Sequence, residues 1–278
     1  FDFSLHAARP IALNVAYLGA SFHGFAAQES DAVETIESHL FRALTTARLI
    51  PDRKTCAWSR CGRTDKGVSS FGQVVGLYIR STRPRGAPGT VEWGPKPAWD
   101  GLPYLAMLNR ILPREIRVLA WCPVPATFDA RFDCSFRRYK YFFAADGLDI
   151  QAMVRAARKY VGRHDYRNFC KVDPSKGAVA STIGTTTSYP PSSASPALPS
   201  TFHVFVVKGH AFLWHQVRCM VAILFLIGRG LEPPETVDAL LDMSRHPPDA
   251  GRPAYDMAPE APLVLVECGF PRGLLRWR

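Results

Sequence analysis

The chain has 278 residues, room for one large domain or two small ones, and its 47% apolar and 21% charged residues exclude wholesale disorder. Thirty-four Lys and Arg against 24 Asp and Glu leave a formal charge of +10, a field that attracts polyanions such as nucleic acid or an acidic membrane surface without choosing between them. The longest apolar stretch, Met220 to Ile227, is far too short to span a bilayer. Phe1-Asp2-Phe3-Ser4 has neither the basic nor the apolar region of a secretory signal. Cys56, Cys61, Cys122, Cys134, Cys170, Cys219 and Cys268 form no C-x-x-C pair, and their odd number leaves one unpaired in any disulfide scheme. The expected setting is therefore intracellular and reducing, cytoplasm or nucleus with an organelle left open, and the expected cysteine role is that of small buried hydrophobes rather than reactive thiols or zinc ligands.

In chain order, Ile11, Leu13, Val15 and Tyr17 alternate with less apolar positions and predict a strand with one buried face. Asp31 with Glu34 three residues on has the form of a capping box, and Val33, Ile36, Leu40 and Leu44 give the following helix an apolar stripe. Strands are expected over Lys54 to Arg60 and Gly72 to Arg80, then a Pro- and Gly-rich loop or insertion from Arg83 to Gly101. Tyr104 to Ile111 predicts a short helix and Arg117 to Cys122 a strand.

A second cycle begins near Pro123. It brings a strand over Arg137 to Phe143 and a helix over Asp149 to Val161 closed by Gly162. A flexible Thr, Ser and Pro stretch from Gly184 to Ser200 precedes a strand at Phe202 to Lys208 and a helix at His215 to Gly228. In that helix Arg218 turns about 100° away from the core-facing Val217. Pro233 and Pro234 start a last short helix, and Leu263 to Cys268 form a closing strand. The expected fold class is α+β: two pseudo-symmetric halves, 1–122 and 123–278, each a mostly antiparallel sheet with helices, with a catalytic cleft between them.

The densest polar cluster is Cys61-Gly62-Arg63-Thr64-Asp65-Lys66-Gly67-Val68, between two strand-like runs. Taken alone it reads first as a surface turn, since Asp and Gly are ordinary turn residues. A phosphate-binding loop is rejected: Gly62 and Gly67 have the spacing, but Val68-Ser69 stands where Lys and then Ser or Thr are required. A third reading makes Asp65 functional, flanked by Arg63 and Lys66, whose charges favour its ionised form. An ionised carboxylate can attack an electrophilic sugar carbon or take a proton. Such a group needs a second cation from elsewhere in the chain. Arg218 is the candidate, on an otherwise apolar helix where an unpaired guanidinium is costly, although a solvent-facing Arg at a helix edge fits equally well.

Together these segments resemble the TruA-type tRNA pseudouridine synthases, over about Ile11 to Phe270. Tyr17-Leu18-Gly19-Ala20-Ser21-Phe22-His23-Gly24-Phe25-Ala26-Ala27-Gln28 looks like the family's opening Y-x-G-x-x-[YF]-x-G-[FW]-x-x-Q. Gly62-Arg63-Thr64-Asp65-Lys66-Gly67-Val68 with Gly72-Gln73-Val74 is similar to its catalytic G-R-T-D-x-G-V and G-Q-V. Phe128-Asp129-Ala130-Arg131-Phe132 through Arg137-Arg138-Tyr139-Lys140-Tyr141 matches F-x-A-R-[FY] and R-x-Y-x-Y, and Phe212 to Val221 matches F-[LV]-x-[HN]-x-V-R-x-[ML]-V. Four ordered motifs overturn the surface-turn reading of Asp65. Within the family, Arg60 to Val74, Leu108-Asn109-Arg110-Ile111-Leu112-Pro113 and Tyr160 to Lys171 are most similar to the eukaryotic branch acting on tRNA positions 38 and 39.

The resemblance implies an isomerase that turns uridine into pseudouridine in the tRNA anticodon arm, with no cofactor and no metal. Asp65 would be the catalyst, Tyr139 would stack on the flipped uracil and Arg218 would be the cation paired with Asp65. Arg63 would organise the site or a phosphate, and Lys66, Arg131, Arg137, Arg138 and Lys140 would contact the RNA backbone. Bacterial members are homodimers, which leaves a homodimer open here. Three rivals stay beside this one: action on another tRNA or RNA site, a non-catalytic tRNA-binding or folding module, and a metal-dependent nuclease. The last lacks a carboxylate cluster, and His203, His210 and His215 fit a strand and a helix terminus better than a ligand set.

Overall fold

The computed structural model describes residues 1–28, 33–82, 102–171, 180–184, 202–245 and 253–278. Asp31, the 83–101 insertion and residues 185–200 of the Thr/Ser/Pro stretch lie outside the described residues. The chain divides into two compact units, Phe1–Ser135 with Leu265–Arg278, and Phe136–Val264. This division differs from a cut after Cys122: the Pro123 to Ser135 segment and the Leu265–Arg278 segment join the first unit. Both units are α+β, and every strand pairing described within them is antiparallel.

In the first unit β1 (Ala8–Tyr17) lies between β3 (Ser69–Arg80) and β4 (Ile116–Pro123), with Leu13 opposite Val75 on one side and Trp121 on the other. β2 (Ser59–Arg60) adds a short rung to β3. Ile11, Leu13, Val15 and Tyr17 pack with Ile36, Leu40 and Leu44 of α1 (Ile36–Thr46) and Tyr104 and Leu108 of α2 (Tyr104–Ile111). The strand has two buried faces, not one, because Ala12 packs with Cys61, Val74, Cys122 and Cys134 on the other side.

Helix α1 starts at Ile36, later than Asp31 and Glu34 suggested. Thr35 and Ser38 cap each other reciprocally, Ser38 N donating to Thr35 Oγ1 at 3.2 Å and Thr35 N to Ser38 Oγ at 3.0 Å. Glu34 instead pairs with His39 at 2.6 Å and Arg42 at 3.3 Å. The strand expected from Lys54 shrinks to Ser59–Arg60, because Asp52 Oδ1 accepts from the amides of Lys54 at 2.6 Å and Thr55 at 2.9 Å and folds that stretch into a turn.

The second unit orders its strands β5-β8-β7-β6, from β5 (Phe136–Ala144), β6 (Gly162–Asp165), β7 (Ala180–Gly184) and β8 (Phe202–Gly209). Helix α3 (Ile150–Arg158) has Asp149 as N-cap, accepting from Ala152 N at 2.9 Å. It ends before Gly162, which stands in β6 at φ 123° rather than closing the helix. Helix α4 (Gln216–Gly228) is buried on most sides, with Phe225 edge-on to Tyr141 and Phe143 of β5. A Cβ on Gly228 would stand 2.7 Å from Met153 Sδ, so glycine lets α3 approach here. A short α5 (Thr236–Leu241) follows, and β9 (Leu263–Gly269) begins in the second unit and ends in the first. Among the described residues no helix is long and apolar enough to cross a membrane.

All seven cysteines are free thiols, six of them buried. Burial pushes the Cys122 thiol up to about 11, and hydrogen bonds with Cys134 and Cys61 together with burial push the Cys268 thiol well above its ordinary range. The thiolate is the nucleophile, so a raised pKa removes it at pH 8. Native protein treated with iodoacetamide at pH 8 will carry no adduct on Cys122 or Cys268 by peptide mass spectrometry, whereas protein in urea will carry both.

Candidate active site

The loop that carries Asp65 is bound along its whole length. At its entry Cys61 N donates to Val74 O at 2.8 Å. Gly62 is held at both its N–H and its C=O by the fully buried Gln73 side chain: Gly62 N donates to Oε1 at 3.3 Å, and Nε2 donates to Gly62 O at 2.9 Å. Beyond that point the Tyr17 to Gln28 segment takes over. Phe25 N donates to Thr64 O at 3.1 Å, Gly67 N to Phe22 O at 3.3 Å and Gly19 N to Ser69 Oγ at 3.0 Å, while Tyr17 Oη lies 2.8 Å from Thr64 Oγ1. Burial raises the Tyr17 phenol well above its ordinary range and keeps it neutral. Val68 N donates to Asp65 O at 3.2 Å and closes the turn.

Two glycines of the opening motif are required by this contact. A Cβ on Gly19 would stand 2.1 Å from Val68 O, and Gly24, at φ 92°, would bring one within 2.9 Å of Thr64 O. The first two sequence motifs are therefore one structure: a lid of backbone laid against the Asp65 loop. Asp65 itself is half-buried, and its neighbours Arg63 and Lys66 are exposed.

A fully buried carboxylate that sequence reasoning passed over fixes this arrangement from below. Glu37, in the first turn of α1, accepts from Ala27 N at 2.8 Å, Trp58 Nε1 at 2.7 Å and Arg60 Nη1 at 2.5 Å. It joins the end of the opening motif to the strand that leads into the Asp65 loop. A Glu in a first helical turn reads from sequence only as a match to the helix dipole.

The third motif is split between the units. Asp129 Oδ1 accepts from the amides of Arg131 at 2.7 Å and Phe132 at 3.1 Å, and Arg131 is exposed with its guanidinium 5.2 Å from the Phe132 ring centre. In β5 the pleat sorts the remaining residues. Arg137, Tyr139 and Tyr141 share one face, and Phe136, Arg138 and Lys140 the other. Arg137 is buried and donates from Nη1 to His210 O at 2.5 Å. Tyr139 is half-buried, edge-on to Phe212 with ring centres 5.2 Å apart. On the opposite face Lys208 Nζ lies 3.8 Å from the Phe136 ring centre and the Arg138 guanidinium 5.7 Å.

Arg218 is 13% exposed and already has partners in its own unit: Nε donates to Ala258 O at 2.7 Å and Nη2 to Glu260 Oε2 at 3.1 Å. The cost of a guanidinium on an apolar helix is met by Glu260 and a carbonyl, so that cost does not by itself call for Asp65. Burial pushes the nearby Tyr141 phenol up to about 12, with the Arg218 charge acting the other way. The two units thus supply different sets: Arg63, Asp65, Lys66 and Arg131 in the first, Arg137, Arg138, Tyr139, Lys140 and Arg218 in the second. Among the described residues no group of three or more His, Cys, Asp or Glu is arranged to hold a metal ion.

A family model described as tRNA pseudouridine synthase matches residues 156–271. The chain is 47% identical over 279 residues to the human tRNA pseudouridine(38/39) synthase, covering 97% of this chain and 57% of the human protein. It is 44% identical over 279 residues to the protein of that name from Saccharomyces cerevisiae, covering 98% of this chain and 60% of the yeast protein. It is 32% identical over 260 residues to tRNA pseudouridine synthase A of Methanosarcina mazei, covering 94% of this chain and 84% of the archaeal protein. The chain thus spans less than two thirds of its human and yeast relatives.

Gly19→Ala will speed hydrogen exchange at the Gly67 and Val68 amides by about tenfold, leaving the amides of Leu13 and Val75 in the β1–β3 ladder unchanged. Glu37→Ala will strand the partly buried Arg60 guanidinium and lower stability by about 3 kcal/mol in urea unfolding.

Proposed function

The chain belongs to the TruA-type tRNA pseudouridine synthase family, and we propose that it isomerises uridine to pseudouridine in the tRNA anticodon arm, at position 38 or 39. The observation that carries this reading is the Asp65 loop, a half-open carboxylate on a backbone clasped by the opening motif and Gln73. The 38/39 target is supported by the names of the human and yeast relatives.

The reaction breaks the C1'–N1 bond, turns the uracil and joins C5 to C1'. No atom is gained or lost: C5 gives up its proton and N1 ends with one. Asp65 acts on the sugar, by adding to C1' or by taking the C2' proton to give a glycal. Either step requires the carboxylate within about 3–3.5 Å of its target atom, and a loop whose peptide groups are already bonded loses little freedom in reaching that position. The uridine first leaves its stack, at a cost of a few kcal/mol that an aromatic platform offsets.

In this reading Tyr139 is that platform, its ring steadied by Phe212, and Arg218 compensates the Asp65 charge with its guanidinium oriented by Ala258 and Glu260. Arg63, Lys66 and Arg131, all exposed, meet backbone phosphates, together with Arg138 and Lys140. The burial of Arg137 and its bond to His210 favour a positioning role over a phosphate contact. Seven free thiols accord with a reducing compartment, cytoplasm or nucleus, and the family's bacterial dimers make a homodimer the assembly to test for.

Unmodified tRNA transcripts incubated without added metal or cofactor and mapped by carbodiimide will show a stop at position 38 or 39 with wild-type protein and none with Asp65→Ala. A stop elsewhere moves the target and keeps the chemistry. Binding without any pseudouridine replaces the reading by a tRNA-binding module.

A further inference from the structure

The segment entering α4 presents an indole to solvent on a backbone held in place from several sides. Trp214 is 53% exposed. Its carbonyl accepts from Lys171 N at 3.1 Å, and the amide before it, Leu213 N, donates to Gln216 Oε1 at 2.7 Å. The residue after it, His215, is left-handed at φ 63°, a conformation that non-glycine residues adopt at a cost and that gathers at functional sites. The His215 ring centre lies 4.5 Å from that of the indole, at 34°, and Lys171 Nζ lies 4.9 Å from the indole centre.

Packing does not account for this ring. A Trp side chain gains most by burial, and here more than half of it is in water while its backbone is fixed. A fixed, solvent-exposed indole with an ammonium over its ring is a combination suited to unpaired nucleotides, because every base has a π-face to stack and every nucleotide a phosphate to draw the cation off the ring. Its place in the chain puts it one helical turn before Arg218.

We infer that Trp214 and Lys171 form a second nucleotide subsite, in which an unpaired base next to the target uridine stacks on the indole and the Lys171 ammonium turns from the ring to that nucleotide's phosphate. This rests on the tRNA reading above and adds to it a contact made by a residue that the reaction itself does not use. Stacking of this kind tolerates any base, so the subsite grips the loop without reading its sequence.

The test measures kcat and KM on an unmodified tRNA transcript, and Kd in the Asp65→Ala background, for Trp214→Ala, Trp214→Phe and Lys171→Gln. Trp214→Ala raises Kd and KM about tenfold with kcat at saturation changed less than about twofold, and Trp214→Phe recovers most of the loss. Lys171→Gln lowers the slope of log Kd against log salt by about one. The inference is overturned if Trp214→Ala binds as wild type does, if Phe and Ala are equally weak, or if Trp214→Ala lowers Tm and kcat with KM unmoved. Wild-type protein that forms no pseudouridine on any transcript sinks the parent reading and this one with it. Active wild type with unaffected Trp214 variants sinks this one alone.

Discussion

Gln73 does for the Asp65 loop what a neighbouring strand does for a strand: its wholly buried carboxamide gives and receives a hydrogen bond at one residue, Gly62, and so serves the two successive peptide groups that flank its Cα. A loop that leaves its carboxylate half-open to solvent cannot sink its peptide groups into a sheet, yet unsatisfied N–H and C=O groups away from water are costly. The side chain of Gln73 on the entry side and the backbone of Gly19 to Phe25 on the exit side resolve that conflict. Much else in the first unit serves these two supports. The glycines of the opening motif are there because the lid lies too close for a Cβ, and Glu37 is buried because the lid's last residues need an anchor.

The pleat of β5 makes a different point about charge. Four consecutive residues, Arg137-Arg138-Tyr139-Lys140, look like a single basic patch with an aromatic in it, but a strand sends neighbours to opposite faces. One face then carries a buried guanidinium tied to a carbonyl together with Tyr139, and the other carries Arg138 and Lys140 beside Phe136 and Lys208. Net charge alone treats these cations alike; the pleat sends Arg137 to one face of the strand and Arg138 and Lys140 to the other.

The parts of the fold legible in the sequence were those set by short-range periodicity. Tyr104–Ile111 has the bounds its pattern predicted, the strands around Leu13 and Val75 follow from alternation, and strands were also expected, and stand, around Tyr139 and Leu265. Misreadings came where a polar side chain outcompeted the pattern: Thr35 with Ser38 at the start of α1, Asp52 ahead of β2. β6 has four residues, too few for any periodicity, and Gly162 at its head looked like a helix stop. The Asp65 loop stood out through ordered motifs, whereas its supports did not: Tyr17 meets Thr64 across 47 residues, and Glu37 meets Arg60 across 23. Such contacts have no local signature. Trp214 escaped notice because its exposure, not its identity, is what sets it apart.

The first unit is assembled from both ends of the sequence, with the whole second unit inserted between Ser135 and Leu265. Ser70, beside the Asp65 loop, donates its hydroxyl to Leu265 O at 2.9 Å, and Gly72 lies so close to β9 that a Cβ there would stand 2.9 Å from Val266 O. A nascent chain on the ribosome must therefore add 195 residues after Ser70, on the order of ten seconds or more of translation, before the strand that borders the Asp65 loop exists. During that interval β3 has an open edge, the kind of edge that recruits other strands. The inserted unit can complete itself first, so the Asp65 loop is among the last parts of the molecule to receive its full set of neighbours, and a message truncated before Leu265 would yield a protein that carries Asp65, Tyr139 and Arg218 with the bed of the Asp65 loop unfinished.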